Sequence, residues 1–150
     1  MPNLPQKKIG LIACSGEELA EGTVTRRAVR KVLETLRPDD TVTLCLPLFL
    51  AGGEGERAFA RHYPTIAVDG CDKRCAALAT EKYSAKPAAS IVVSEVGAEL
   101  DHGAIGTART LNAEGKRLAE AVAEKIVEET DRLLKRKSGV PTRWSGREKR

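Results

Sequence analysis

KKIGLIAC, residues 7–14, followed by the turn residues Ser15 and Gly16 and the acids Glu17 and Glu18, is the stretch that decides the fold. An unbroken apolar run of this length, closed by a turn, reads as a strand buried on both faces of a parallel sheet. Working outward, three further runs carry the same signature: TVTLCL at 41–46, TIAVDG at 65–70 and ASIVVSEV at 89–96. The segments between them read differently. Residues 18–37 space Val24, Ala28, Val32, Leu33 and Leu36 along one helical face, and Arg37-Pro38-Asp39-Asp40 stops that helix. Pro47 ends the second strand, and LFLAGGEGE at 48–56 reads as a long crossing loop. A short helix carrying Ala58, Phe59 and His62 breaks at Pro64, and a second helix is expected over 71–83. Residues 97–110, with Gly97, Gly103 and Gly106, read as an irregular loop. Asn112 is placed to cap a last long helix bearing Leu118, Ala119, Val122, Ile126, Val127, Leu133 and Leu134.

Strands that alternate with helices imply right-handed βαβ units. The expected fold is therefore a single-domain α/β three-layer sandwich with a mostly parallel four-stranded sheet, flavodoxin-like or Rossmann-like. The natural strand order is 2-1-3-4, which puts a switch point between the first and third strands. A length of 150 residues suits one domain with a sizeable core. Its expected extent is 1–137. Basic residues crowd the end of the chain: Lys135, Arg136, Lys137, Arg143, Arg147, Lys149 and Arg150 stand against Glu148, leaving the remainder close to neutral. Residues 138–150 have turn residues and charge without periodicity, so a disordered basic tail is expected. Clustered Lys and Arg can contact phosphates, but Trp144 is the tail's one aromatic residue, and nucleic acid is not the expected partner.

No apolar run approaches the roughly 20 residues of a membrane-spanning helix. The first run, about six residues long, is shorter than a secretion-signal core. The expectation is a cytoplasmic protein in a reducing compartment, where structural disulfides are rare. There, four cysteines favour a metal site or redox chemistry. A homo-oligomer is compatible with the sequence. No partner, and no reaction, is readable from it.

Those cysteines are Cys14, Cys45, Cys71 and Cys75. The first three lie at or just past the ends of predicted strands. In order 2-1-3-4 those ends are neighbours, about 4.8 Å apart per strand. Cys75 follows Cys71 by one helical turn, so both thiols share a face if the stretch is helical. Four thiolates suit zinc, with an iron–sulfur cluster as the second candidate. Three cysteines with an open position or His102 is a further arrangement, with Glu95, Glu99 or Asp101 as a nearby base. Cys14 precedes one predicted helix and Cys71 opens another, and these helix starts, with Lys73 and Arg74 close by, are expected to favour thiolates. The alternative function is a thiol–disulfide redox enzyme using the Cys71/Cys75 pair or Cys14, although the C-x-x-C spacing is missing. An anion-binding loop at Cys14-Ser15-Gly16 is opposed by Glu17 and Glu18. No G-x-x-x-x-G-K-[ST] or G-x-G-x-x-G follows any strand.

At Val68-Asp69-Gly70-Cys71-Asp72-Lys73-Arg74-Cys75-Ala76 the chain resembles the DGC-domain family of zinc-binding proteins, named for an Asp-Gly-Cys motif. The resemblance takes in Cys14-Ser15-Gly16 and Cys45-Leu46 with Gly52-Gly53 downstream, and covers about residues 7–100. Asp72 stands where the family usually has proline, and the glycine-rich stretch after Cys45 is thinner. The resemblance implies that Cys14, Cys45, Cys71 and Cys75 are metal ligands. It implies no particular reaction.

Overall fold

A computed structural model describes residues 7–135. Its strands are β1 (Ile9–Ala13), β2 (Thr41–Thr43), β3 (Thr65–Asp69) and β4 (Ala89–Val92), all parallel, in the order β2-β1-β3-β4. This is the expected order. Leu11 pairs with Thr43 on one side and Ile66 on the other, and Val68 pairs with Ile91. Ile9, Leu11, Ile12 and Ile66, Ala67, Val68 are fully buried, which is why both central strands read as unbroken apolar runs. The helices are α1 (Ala20–Lys31), α2 (Leu46–Ala51), α3 (Glu54–Arg57), α4 (Phe59–His62), α5 (Cys75–Tyr83), α6 (Val93–Leu100) and α7 (Ala113–Leu133).

The pleat sorts side chains into two cores. Ile9, Leu11, Ile66 and Val68 face the larger one, beneath Val24, Ala28 and Val29 of α1 and Leu118, Val122 and Ile126 of α7. Ile12 and Ala67 face the smaller one, with Leu46 and Phe49 of α2 and Ala76 and Ala77 of α5. Helices thus cover both faces, as a three-layer sandwich requires. Asn112 caps α7 as expected, its Oδ1 accepting the Gly115 N–H at 3.0 Å. A π-helical turn, Val32–Leu36, extends α1. Beyond that turn, Arg37 grips Asp131 of α7 with a two-pronged contact, Nε to Oδ1 at 3.0 Å and Nη2 to Oδ2 at 2.8 Å.

Three boundaries depart from the sequence reading. The second strand stops at Thr43 instead of 46, and part of the expected loop is helical. Pro47 sits in the first turn of α2, where its missing N–H costs no hydrogen bond. The fourth strand stops at Val92 instead of 96, and residues 93–100 form α6. Val93 and Gly97 are buried there, with Val96 and Leu100 against the larger core, so the apolar spacing of that stretch serves a helix. The helix expected from residue 71 begins at Cys75, because Arg74 adopts a left-handed conformation with φ of 54°. The expected boundary at residue 137 and the basic segment 138–150 lie outside the described residues. No described helix is long and apolar enough to cross a membrane.

Candidate metal centre

Cys14 follows the last residue of β1 and shares the parity of Ile12, so its thiol enters the smaller core. It is 9% exposed. Its Sγ accepts the Gly70 backbone N–H at 3.3 Å and lies 3.7 Å from the Thr25 hydroxyl. That hydroxyl has one proton, and it donates to the Gly22 carbonyl at 2.6 Å. The loop after β1 rests directly on the start of α1. A Cβ built on Gly22 would fall 2.1 Å from the Gly16 oxygen, and Gly16 itself needs φ of +48°. Arg26 of α1 donates from Nη1 to the Ser15 carbonyl, pinning the same loop.

Beyond β3 the chain turns through Gly70 and Cys71, and the Arg74 N–H closes the turn on the Cys71 carbonyl at 3.2 Å. Cys75 then opens α5. Asp69, the last residue of β3, is 1% exposed. Its Oδ1 accepts the Ala76 N–H at 2.7 Å, and its Oδ2 accepts the Ala77 N–H at 3.1 Å.

These elements enclose a cavity of about 310 Å³ at the β1/β3 switch point, lined among others by Cys14, Cys71, Cys75, Asp69 and Leu46. Three thiols distant in sequence therefore share one cavity. Cys45 does not line it. As the residue preceding α2 it is exposed, and it lines an adjoining cavity of about 320 Å³ with Arg26 and Thr43. Cys14, Ser15, Glu17 and Leu46 belong to both cavities, so Cys14 is the thiol between the other two groups. All four cysteines are unpaired.

The expectation that local positive charge favours thiolates is corrected at Cys14. Burial pushes its thiol above the ordinary value of 9.0, outweighing the Gly70 N–H and the Thr25 hydroxyl, and the neighbouring Asp69 and Cys75 push the same way. Cys71 lies in the turn and does not open a helix. Burial likewise raises the Asp69 carboxyl, opposed by its two backbone donors and then by Arg74.

The donor chemistry fits a thiophilic metal. Sulfur ligands suit zinc, and an N–H directed at a sulfur is the kind of outer contact that steadies a bound thiolate. Among the described residues, no three His, Cys, Asp or Glu side chains are grouped closely enough to hold an ion as they stand. Binding therefore needs the sulfurs to draw together and the Cys14 proton to leave. The first demand falls on Cys71, which sits in a turn, and on Cys75, exposed at a helix start; the second falls on the buried Cys14.

His102 lines neither cavity. Its Nδ1 lies 2.6 Å from the Gly103 carbonyl, and its ring packs against Gly97 of α6. His62, at the end of α4, meets the Tyr63 ring edge-on at 4.5 Å. Of two further contributors, Thr25 and Asp69, the sequence points only to Asp69, as the first residue of the Asp-Gly-Cys motif, and does not give its role. Asp69 carried a signal, an acid ending an otherwise apolar strand. Thr25 carried none, since its role depends on which face of α1 meets Cys14.

Compared with known proteins, the chain matches the family described as DGC domain over residues 10–129. No curated protein and no solved structure matches it.

Proposed function

The chain belongs to the DGC domain family, and from that premise we propose that it binds a thiophilic metal ion, zinc first, through Cys14, Cys71 and Cys75, with Cys45 supplying the fourth sulfur. The observation that carries this reading is the common cavity of three thiols at the switch point, where ligands of open α/β sheets bind. Cys45 completes the set by a shift at the start of α2, a six-residue helix at the end of the short edge strand β2. A bound zinc would supply a Lewis-acidic centre. The protein's part is to present sulfur donors, steady Cys14 through the Gly70 N–H, and wall the site with Leu46.

A metal held by four sulfurs is commonly structural. This domain has a continuous aliphatic core beneath α1 and α7 that does not involve the cysteines. The metal is therefore carried, sensed or used, and its removal leaves the fold intact.

The test is metal analysis of protein purified without added metal, paired with thiol titration before and after chelation. One zinc per chain, with thiols that react only after chelation and a cooperative unfolding transition that survives it, supports the proposal. Metal-free protein with a reversible Cys71–Cys75 disulfide supports thiol–disulfide chemistry in its place. A brown protein containing iron points to an iron–sulfur cluster.

A further inference from the structure

We infer that Asp69 is the positioning residue of the thiol site: its carboxylate clamps the first turn of α5 and thereby holds Cys75 beside Cys71 and Cys14. The inference deepens the metal-binding proposal and rests on it for its purpose, though its geometry stands independently. A helix start leaves backbone N–H groups without partners, and the residue ahead of the helix usually supplies a side-chain acceptor. Here that residue is Arg74, which supplies none. Asp69, six residues before Cys75, takes over the task from the end of β3, with one oxygen on the Ala76 N–H at 2.7 Å and the other on the Ala77 N–H at 3.1 Å.

The consequence for Cys75 is direct. The Ala76 nitrogen is bonded to the Cys75 carbonyl carbon, so fixing that N–H fixes the peptide plane that carries Cys75. The left-handed Arg74 just before it is a conformation that persists only where its surroundings hold it. The clamp is such a restraint: with α5 tied to β3, the chain between Gly70 and Cys75 must turn sharply, and both thiols face one cavity. The three residues of the Asp-Gly-Cys signature then divide the work. Asp69 ties α5 to the sheet. Gly70 donates its N–H to the Cys14 sulfur at 3.3 Å, and its α-carbon leaves the room that the backbone of Glu21 and Gly22 needs. Cys71 contributes the thiol. With each oxygen engaged by a backbone N–H, Asp69 acts here through the ligands, as a positioning residue.

The test uses the full chain with Asp69→Ala and Asp69→Asn, and Asp131→Asn as a control at a buried acid on the opposite face. Each metal-free variant is titrated with phenylarsine oxide, which bridges neighbouring thiols, and then with zinc, while circular dichroism follows the fold. Asp69→Ala is expected to stay folded and to lose tenfold or more in affinity for the arsenical. Asp69→Asn, with one acceptor oxygen left, falls between it and the wild type. Asp131→Asn lowers the melting temperature without changing arsenical affinity. Wild-type arsenical affinity in folded Asp69→Ala overturns the inference. So does an equal loss of affinity in Asp131→Asn, which would trace the effect to stability alone. Should Asp69→Ala not fold, wild-type affinity in Asp69→Asn overturns it. Failure of the metal proposal reads out separately, as absent zinc binding by a wild type that still takes up the arsenical.

Discussion

Over one face of the sheet, α1 and α7 bury an aliphatic core that contains Ile9, Leu11, Val24, Ile66, Val122 and Ile126 and no cysteine. Over the other, α2 and α5 cover a smaller group, Ile12, Leu46, Phe49, Ala67, Ala76 and Ala77, that includes the Cys14 thiol. The pleat makes this division, since neighbouring residues of one strand serve opposite faces. The comparison teaches that stability and chemistry occupy different layers. The large face can carry the fold while the small face gives up some packing to hold thiols near a cavity.

The largest effect expected from attacking this division is on the large face. Asp131→Ala removes the two-pronged contact while Arg37 keeps the Leu36 carbonyl and the nearby Asp40 charge, so the loss in urea unfolding should lie at or below the lower end of the about 3–5 kcal/mol typical of a broken buried pair. The protein that remains folded should keep its metal capacity. On the small face the order reverses. Cys14→Ser should cost about 1 kcal/mol, the typical effect of a single substitution. Its zinc affinity should fall by more than the roughly 10–100-fold lost with an outer-shell partner, as measured by competition with a chelator. If Cys14→Ser unfolds the metal-free protein as Asp131→Ala does, the two layers are not separate.

Within the small face, Cys45→Ser should weaken zinc binding less than Cys14→Ser, because Cys45 stands in the adjoining cavity and is already exposed. A brief alkylation of metal-free protein, read by mass spectrometry, sharpens the same contrast. Cys45 and Cys75 should label first, the half-buried Cys71 next, and Cys14 last, since it is buried and burial holds its thiol above the ordinary value of 9.0. Cys14 labelling ahead of Cys45 would contradict the placement of both.

The smallest effect belongs to the surface of the large face. Arg117 and the Gly103 N–H hold the Glu114 carboxyl down to about 2, from an ordinary 4.5. A carboxyl lowered on folding stabilises above its unfolded value and loses that contribution as pH falls through the folded one. Glu114→Gln should therefore lower the melting temperature slightly at neutral pH. The difference from wild type should shrink from pH 4.5 downward and be gone below about pH 2. This pair lies at the surface, its side chains 46% and 39% exposed, so the difference is small and screened by salt.

Much of this plan was legible in the chain because parallel central strands are buried on both faces, which leaves runs such as 9–13 and 65–69 apolar throughout. Their ends fixed the neighbourhood of Cys14 and Cys71 before any coordinate. The edges were less legible. Residues 93–100 continue an apolar run with helical spacing, and a short apolar run does not by itself distinguish strand from helix. Cys45 follows an edge strand of only three residues, so its strand end places it less firmly than those of β1 and β3. The raised Cys14 thiol could not be read from its neighbours in sequence, since burial by other elements causes it.

The central claim is that sulfurs gathered on the small face hold a metal. X-ray absorption at the zinc edge of zinc-loaded protein tests it most directly. The account predicts a shell of four sulfurs at about 2.3 Å, becoming three sulfurs and one lighter atom in Cys45→Ser. A shell dominated by nitrogen and oxygen, or one unchanged when Cys14 is replaced, would contradict it.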